Sequence, residues 1–262
     1  MIKANIIFTD LDGTLLDENY SSEDALPVLN VLKKKKIPII LCSAKTRTEQ
    51  EVIRNKLGTI HPFIVENGSA IYIPKGYFEK RSGDIVDGYE VIVLGERSEK
   101  VTKEIEGLRE KYLIKGYYNM TDDEVAKVTG LSLEDAKHAK NREFGETVVK
   151  ADKNALVELA KKFNVVPGGR FIQVFGKGAD KGKAVRILSD LYRRQGDVTT
   201  VGIGNSYNDE PMLRAVDLPA IVRNPDGNLA DLKIEKIYKA DEIGPKGWVE
   251  VVRKLILGEQ DA

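Results

Sequence analysis

The sequence predicts an α/β protein with a doubly wound, mostly parallel sheet and a second, α+β segment inserted into it. Short apolar runs without polar interruption recur in the first and last thirds of the chain, and amphipathic helical patterns lie between them. Uninterrupted runs are typical of strands that are buried on both faces, as in a parallel sheet covered by helices on each side. Regular alternation of such strands with helices is the pattern of a doubly wound sheet.

The strands predicted for this sheet lie early and late in the chain. Their apolar runs are 6–8, 37–42, 63–65, 198–203 and 220–222. The helices predicted between them are 23–35, 48–57 and 180–194. Gly58 directly follows the second helix and is a typical helix stop.

The middle third of the chain is predicted to form the inserted segment, because its strands and helices do not alternate regularly. The predicted strands there are 89–94, 147–149 and 170–175, and the predicted helices are 98–113, 132–142 and 154–163. Turn-forming residues at 81–84 and 176–178 bracket this block. We therefore predict a core domain of residues 1–82 and 177–262, and a cap domain of residues 83–176.

The composition argues against several classes of protein. The 262 residues include 41 Lys+Arg and 41 Asp+Glu, and a net charge of zero argues against nucleic acid or an anionic membrane as a partner. No apolar run approaches the roughly 18 residues of a membrane span, and the single cysteine, Cys42, excludes a disulfide framework. We expect a cytoplasmic globular protein, monomeric or homodimeric, that acts on a small molecule.

Two carboxylates follow the first predicted strand, in the run Asp10-Leu11-Asp12-Gly13-Thr14. Ligands of open α/β sheets bind outside the carboxyl ends of the strands, and residues two apart on an extended chain point the same way. Asp10 and Asp12 can therefore face one site, although a polar turn is the alternative for such a motif alone. One carboxylate can attack a phosphoryl group while the other acts as general acid and then base. Such chemistry needs Mg²⁺ and nearby cations.

Ser43 and Lys181 are candidates for holding the phosphate. Ser43 follows the second strand and could donate a hydrogen bond to a phosphate oxygen, although it could equally be a loop residue beside a helix N-cap. Lys181 opens the helix 180–194, where a cation opposes the helix dipole at a cost of up to roughly 1 kcal/mol. A bound anion beside this cation would offset that cost.

The loop after the strand 198–203 carries candidate Mg²⁺ ligands. It reads Gly-Asn-Ser-Tyr-Asn-Asp, and the oxygens of Asn205 and Asp209 suit the ion or the groups around it. An ordinary turn with Asn208 as a helix N-cap is the alternative interpretation.

The order of nucleophile, hydroxyl, lysine and acidic loop resembles the motif set of the haloacid dehalogenase-like phosphatase superfamily. Within it, the chain is similar to the mannosyl-3-phosphoglycerate phosphatases over nearly its whole length. The segments that carry this resemblance are Ser-Ala-Lys-Thr-Arg at 43–47, Glu-Asn-Gly-Ser-Ala-Ile at 66–71, Pro-Lys-Gly-Tyr-Phe at 74–78, Arg-Glu-Phe-Gly-Glu-Thr at 142–147 and Asn-Ser-Tyr-Asn-Asp at 205–209. The resemblance implies a phosphatase core with an inserted cap, dependence on Mg²⁺, and hydrolysis of mannosyl-3-phosphoglycerate to mannosylglycerate, a compatible solute.

The resemblance also implies a role for each motif residue. Asp10 is the nucleophile and a metal ligand, and Asp12 is the general acid/base and binds the metal through its backbone carbonyl. Ser43 and Lys181 hold the phosphate, and Asp209 belongs to the acidic motif.

Asn205 departs from this pattern, because the family usually has Asp there. An amide oxygen can still bind Mg²⁺ but carries no charge. The hypothesis is therefore a lowered affinity for the metal and not its loss.

The cap is expected to supply specificity, since the core reads only the phosphoryl group. A glycerate carboxylate is best bound by a bidentate arginine. The candidate substrate-binding residues are Lys45, Arg47, Asn67, Arg142, Glu143 and Arg170. A surface ion pair is the alternative for each charged member of this set.

Other functions remain open from the sequence alone. A related phosphatase could act on glucosyl-3-phosphoglycerate or sucrose phosphate, and a phosphomannomutase-like enzyme would pass the phosphoryl group to a sugar. A phospho-aspartate binding module would keep the acyl phosphate and has no evident need for Asp12. His61 and His138 have no partner pattern and are interpreted as structural or exposed.

Overall fold

The computed structural model describes residues 4–168 and 170–258. Its strands are β1 (Ala4–Thr9), β2 (Ile39–Cys42), β3 (Phe63–Val65), β4 (Ala70–Pro74), β5 (Asp84–Val86), β6 (Tyr89–Val93), β7 (Ile114–Gly116), β8 (Glu146–Ala151), β9 (Phe163–Gly168), β10 (Phe171–Gly176), β11 (Val198–Gly204), β12 (Leu218–Arg223) and β13 (Tyr238–Ile243). Its α-helices are α1 (Leu26–Lys34), α2 (Arg47–Leu57), α3 (Ser98–Leu108), α4 (Asp122–Thr129), α5 (Leu133–Lys140), α6 (Lys153–Lys162), α7 (Lys181–Arg193), α8 (Glu210–Leu213) and α9 (Gly244–Val252).

The large sheet has nine strands in the order β13-β12-β11-β1-β2-β3-β4-β6-β5. The pairs from β13 to β3 are parallel, and those from β3 to β5 are antiparallel. β1 lies between β2 and β11, so its carboxyl end is in the middle of the parallel edge. The α/β class and the mostly parallel sheet are therefore confirmed.

Helices cover both faces of the large sheet. On β1, Ile7 packs into the core that contains Leu29 of α1 and Trp248 of α9. Its neighbours Ile6 and Phe8 pack into the opposite core, against α7 and α8. Successive side chains of a strand point to opposite faces, so an apolar run without interruption is what a doubly covered strand needs.

The inserted part forms a four-stranded antiparallel sheet in the order β7-β8-β10-β9. Helices α3 and α6 bury Ile105 and Leu159 against its apolar side, in a core separate from those of the large sheet. Helices α4 and α5 pack around Val125 in a further small cluster. This α+β unit lies over the carboxyl ends of the parallel strands, where α5 contacts α2.

The predicted domain boundary at residue 83 does not coincide with the change of sheet. Strands β5 and β6 were assigned to the cap, but both pair in the large sheet. The turn-forming residues at 81–84 lead into a hairpin of that sheet, and the chain reaches the small sheet at β7. The division into core and cap domains stays a prediction. Within the described residues, no helix is long and apolar enough to cross a membrane.

Candidate active site

The site lies at the carboxyl ends of the parallel strands. Asp10 follows β1, Ser43 follows β2, and Asn205 follows β11. Backbone hydrogen bonds continue the sheet beyond the strands, because the Asp10 N–H donates to Ile203 at 2.9 Å and the Ser43 N–H donates to Ile64 at 3.2 Å. The loops therefore start from fixed positions.

Lys181 joins two carboxylates at the centre of the site. Its Nζ donates to Asp10 Oδ1 at 2.8 Å and to Asp209 Oδ1 at 2.6 Å. All three side chains are buried, with exposures of 8% or less. Lys181 begins α7, whose N-cap is Asp180. The chain thus brings together groups that lie 171 residues apart in the sequence.

Burial and the neighbouring charges shift the pKa values of Asp10 and Lys181. Burial raises the pKa of Asp10 to about 7, the charge of Asp209 acts in the same direction, and Lys181 opposes both. Burial alone would lower the pKa of Lys181, but the two carboxylates outweigh it and hold that pKa above its ordinary value. The lysine therefore stays charged, and Asp10 is a carboxylate whose protonation depends on its surroundings.

Asp209 organises the loop that contains it. One oxygen accepts the lysine, and the other accepts the N–H groups of Asn205 at 3.0 Å and Ser206 at 3.1 Å. Both carboxylate oxygens are thus engaged within the protein. Asp209 is placed to anchor Lys181 and to shape the loop around Asn205.

Hydrogen bonds of its side-chain amide hold Asn205 in place. Its Oδ1 accepts the Thr14 hydroxyl at 3.2 Å, and its Nδ2 donates to Asn224 Oδ1 at 2.9 Å. Gly13 approaches the amide so closely that an added Cβ would lie 2.5 Å from Nδ2, and its φ of +72° is one that L side chains rarely adopt. Glycine after Asp12 is therefore required for the two loops to meet.

Asp12 is placed differently from Asp10. Its carboxylate is half exposed and lies 3.1 Å from Lys45 Nζ. Lys45 is largely buried and also approaches Glu49 at 3.5 Å. The two carboxylates raise the pKa of Lys45 above its ordinary value although burial opposes this. One carboxylate of the pair is thus buried and the other faces an open space.

The donor atoms at this edge are of the type that Mg²⁺ binds. The Asp10 carboxylate, the Asp12 backbone carbonyl and Asn205 Oδ1 are hard oxygens, and such ions take oxygen ligands. No group of three or more His, Cys, Asp or Glu side chains suited to a metal occurs in the part of the chain that the structure describes. A metal here would need the amide and backbone oxygens, and the chemistry of this set fits it.

A cavity of about 270 Å³ lies between the sheet edge and the inserted unit. Asp12, Gly13 and Lys45 line its core side. Arg142 and Arg170 line the opposite side, together with polar side chains such as Gln173 and Thr147. Asp17, Glu18 and Glu49 also line the cavity, and its cations are Lys45 on the core side and the two arginines opposite. Cations on two sides suit an anionic ligand with two acidic groups.

The two arginines are held by backbone carbonyls. Arg142 Nη2 lies 3.2 Å from the Glu66 carboxylate and donates to the Ala44 carbonyl at 3.1 Å. Arg170 donates to the Thr129 and Val128 carbonyls at 2.9 and 2.7 Å, at the end of α4. Their directions are therefore fixed without a ligand.

The remaining candidates for substrate binding, Arg47, Glu143 and Asn67, lie in two different places. Arg47 Nε donates to Glu143 at 2.7 Å, and neither residue is among those that line the cavity. Asn67 is 3% exposed, and both atoms of its amide lack a hydrogen-bond partner within the described residues. Its N–H donates to the Ser43 carbonyl at 3.0 Å, and the next residue, Gly68, packs against the start of α7. Asn67 therefore lies between the elements that carry Ser43 and Lys181.

Sequence reasoning missed two groups that hold the site together. Asn224 follows β12 and bonds both the side chain and the carbonyl of Asn205. Glu66 follows β3 and pairs with Arg142. Glu66 directly follows the predicted strand 63–65, and Asn224 lies two residues after the predicted strand 220–222, as Asp10 does after 6–8. The rule that selected Asp10 would therefore have found both.

Comparison with known proteins agrees with this geometry. The family profile of haloacid dehalogenase-like hydrolases matches residues 7–232. A glucosyl-3-phosphoglycerate/mannosyl-3-phosphoglycerate phosphatase of Persephonella marina is 41% identical over 261 residues, which cover 96% of this chain and 97% of the relative. The mannosyl-3-phosphoglycerate phosphatase of Pyrococcus furiosus is 42% identical over 220 residues, which cover 83% of this chain and 90% of the relative.

Solved structures share the fold at low identity. The Thermoplasma acidophilum protein 0175 has a TM-score of 0.70 at 17% identity and covers 95% of this chain and 97% of its own. A haloacid dehalogenase-like hydrolase from B. subtilis has a TM-score of 0.62 at 17% identity, with 96% and 99% covered. Fold, profile and relatives agree: this chain is a haloacid dehalogenase-like hydrolase and belongs to the mannosyl-3-phosphoglycerate phosphatase family.

Proposed function

We propose that this phosphatase hydrolyses mannosyl-3-phosphoglycerate to mannosylglycerate and phosphate, through an aspartyl-phosphate on Asp10. The observation that carries the proposal is the buried group of Asp10, Lys181 and Asp209, with Asp10 two residues along the chain from Asp12, which lines the cavity. Relatives named as phosphatases of this ester support the substrate. Two of the relatives are named for the glucosyl ester as well, and this favours glucosyl-3-phosphoglycerate as a second substrate.

The first step is attack by Asp10 on phosphorus. Lys181 holds Oδ1, and the other carboxylate oxygen forms the new O–P bond. The bond between phosphorus and the glycerate oxygen breaks, and Asp12 gives its proton to that departing oxygen. Asp12 is suited to this because it faces the cavity, where the leaving group lies.

The second step releases phosphate. Asp12, now a carboxylate, takes a proton from water, and the water oxygen forms a bond to phosphorus. The acyl phosphate bond breaks and returns Asp10 to its carboxylate form. Lys45 keeps a positive charge 3.1 Å from Asp12 at the wall of the cavity.

Ser43, Asn67 and Lys181 hold the phosphoryl oxygens. The buried amide of Asn67 lacks a hydrogen-bond partner, and a buried polar group of this kind is costly unless a ligand satisfies it. We expect Asn67→Ala to weaken the binding of inorganic phosphate about tenfold, since one hydrogen bond to a charged group is lost. Isothermal titration with phosphate measures this, and unchanged binding would remove Asn67 from the site.

Mg²⁺ is the cofactor in this proposal, held by Asp10, the Asp12 backbone carbonyl and Asn205 Oδ1. When bound, it neutralises charge on the phosphoryl oxygens. The cationic end formed by Arg142 and Arg170 binds the glycerate carboxylate. Asp209 anchors Lys181, and Arg47 and Glu143 stabilise the contact between the two units.

The Asn205 ligand can be tested by adding charge. We expect Asn205→Asp to tighten Mg²⁺ binding, measured by calorimetry on the protein without substrate, because a carboxylate attracts the ion more strongly than an amide. Asn208→Asp adds the same charge to the same loop and is the matched control. Equal Mg²⁺ affinities in the wild type and Asn205→Asp would show that residue 205 does not bind the ion.

The activity itself is tested by phosphate release from a panel of phosphorylated glycerates and sugars, with Mg²⁺ and with a chelator. We expect the mannosyl and glucosyl esters of 3-phosphoglycerate to be hydrolysed and sucrose phosphate to be a poor substrate. Transfer of phosphate to a sugar would identify a phosphotransferase, and a stable acyl phosphate would identify a binding module.

A further inference from the structure

Glu66 is a buried carboxylate with a backbone conformation that is unusual for its residue type. It directly follows β3, its side chain is fully buried, and its φ of +46° lies in the left-handed region. Its N–H donates to the Lys45 carbonyl at 3.1 Å, so the loop after β3 is tied to the loop after β2. A strained, buried, charged residue persists only where its surroundings fix it, and such residues cluster at functional sites.

The Glu66 side chain binds the inserted unit and not its own sheet. We call residues 141–145, between α5 and β8, the return loop. Glu66 Oε1 accepts the N–H of Glu143 at 2.8 Å and that of Phe144 at 3.2 Å. Oε2 accepts the Phe144 N–H at 3.2 Å and lies 3.2 Å from Arg142 Nη2. One carboxylate on the large sheet thus holds consecutive residues of the unit that covers the cavity.

The geometry fixes the direction of one cavity arginine. Arg142 Nη2 is shared between Glu66 and the Ala44 carbonyl, at 3.2 and 3.1 Å. A guanidinium is planar and rigid, so fixing one nitrogen at two points also fixes where the other nitrogens point. Arg142 Nε is buried and lacks a hydrogen-bond partner within the described residues, and Arg142 lines the cavity. A buried donor without a partner is costly, and a ligand acceptor that binds beside Arg142 would satisfy it.

We propose that Glu66 is a positioning residue for substrate specificity: it holds Arg142 so that the guanidinium receives the carboxylate of the phosphoglycerate. This rests on the proposed function. Glu66 itself does not line the cavity. It acts through Arg142 and the return loop. Recognition of the leaving group therefore depends on contact between the large sheet and the inserted unit.

The test compares two affinities in Glu66→Gln. The amide is isosteric and keeps one oxygen for a backbone N–H, but it loses the charge that holds Arg142. We expect KM for mannosyl-3-phosphoglycerate to rise about tenfold, as for the loss of one charge-assisted contact, while kcat and the affinity for inorganic phosphate change less than about twofold. Inorganic phosphate lacks a carboxylate, so it reports on the phosphate end alone.

Glu90→Gln is the matched control. Glu90 of β6 is also buried and accepts backbone N–H groups, those of Gly76 and Ser82 in the segment between β4 and β5, and it does not line the cavity. A merely structural role for Glu66 would lower thermal stability and both affinities together, and this outcome overturns the proposal. An unchanged KM overturns it as well.

A second variant decides the question if Glu66→Gln does not fold. Arg142→Lys keeps the charge beside Glu66 but removes the planar fork. The same selective rise in KM supports the proposal, and a wild-type KM overturns it. Failure of the wild type to release phosphate from mannosyl-3-phosphoglycerate would instead contradict the proposed function.

Discussion

Lys181 is a buried cation that two buried carboxylates share, and its replacement leaves both without this cationic partner. Breaking a buried ion pair from one side costs about 3–5 kcal/mol, because the remaining charge is neither solvated nor neutralised. Asp10 already has a pKa raised to about 7 with the lysine present. Without it, the pKa of Asp10 rises further.

We therefore expect Lys181→Met to lower the free energy of unfolding by about 3 kcal/mol at pH 8 and by less at pH 5. At the lower pH the Asp10 carboxyl group in the folded variant binds a proton, and its repulsion with Asp209 falls. Urea unfolding at the two pH values measures the difference. An equal loss at both would show that the carboxylates are not what the lysine stabilises.

The nucleophile is tested by Asp10→Asn. The amide has the same shape but cannot attack phosphorus, so we expect turnover to fall by more than about a thousandfold. The circular dichroism spectrum and the melting temperature serve as controls for the fold. Residual activity of one tenth or more would contradict the role proposed for Asp10.

The sequence predicts which side chains lie close together when their proximity follows from the sheet topology. Asp10 and Asn205 follow parallel strands that are neighbours, and the strand-end rule places both at one edge. The bond between Arg47 and Glu143 spans 96 residues and depends on how the inserted unit folds back. No periodicity or motif encodes that contact, so the sequence named both side chains as candidates for substrate binding, with an ion pair as the alternative.

The N-terminus of α2 is the element that joins the two units near the site. Thr46 is its N-cap: the hydroxyl accepts the Glu49 N–H at 3.2 Å, and the Glu49 carboxylate accepts the Thr46 N–H at 2.8 Å. The same hydroxyl donates to the His138 carbonyl of α5 at 2.9 Å. One side chain therefore starts a helix of the large unit and satisfies a helix carbonyl of the small one.

We expect Thr46→Ala to lower the free energy of unfolding by about 1–2 kcal/mol, through loss of the cap and of the bond to α5. Thr46→Ser keeps the hydroxyl and should retain most of the stability. Chemical unfolding of the three proteins measures this. If serine and alanine are equally destabilised, the packing of the threonine methyl group matters and the hydroxyl does not.

Element boundaries were predictable where a strand is buried on both faces, and less so elsewhere. β1 and β2 contain unbroken apolar runs, β11 is mostly buried although it includes two threonines, and all three were found. β13 has mixed polar residues with mostly exposed side chains, and β9 continues directly from α6; the sequence pattern indicated neither. These strands form because a neighbouring strand offers hydrogen bonds, which a local pattern does not record.

The stability of the whole molecule is expected to fall in acid partly through His61. Burial lowers the pKa of His61 to about 4, and the charge of Arg54 acts in the same direction. Its Nδ1 is 2.7 Å from the Tyr77 hydroxyl. The unfolded chain binds the proton near the ordinary pKa of 6.5 and the folded protein only near 4. The stabilisation is complete above pH 6.5 and is lost as the pH falls towards 4.

Comparison with His61→Gln isolates this contribution, because glutamine keeps a hydrogen-bonding group and does not titrate. Between pH 7 and pH 4, we expect the wild type to lose about 2 kcal/mol more unfolding free energy than the variant. Urea unfolding at several pH values measures both. His138→Gln is the control, and parallel pH profiles of the wild type and His61→Gln would contradict the assignment.

The pairing of β1 with β11 has a consequence for synthesis on the ribosome. Ala4 of β1 pairs with Val198 of β11, so the strand that β1 pairs with on this side is synthesised much later. Until that partner emerges, the backbone N–H and C=O groups on one side of β1 are unpaired, and such an edge favours aggregation. The nascent chain can complete neither its sheet nor its nucleophile–lysine pair before the inserted unit has been translated. Catalytic competence and protection from aggregation therefore arrive together, late in translation.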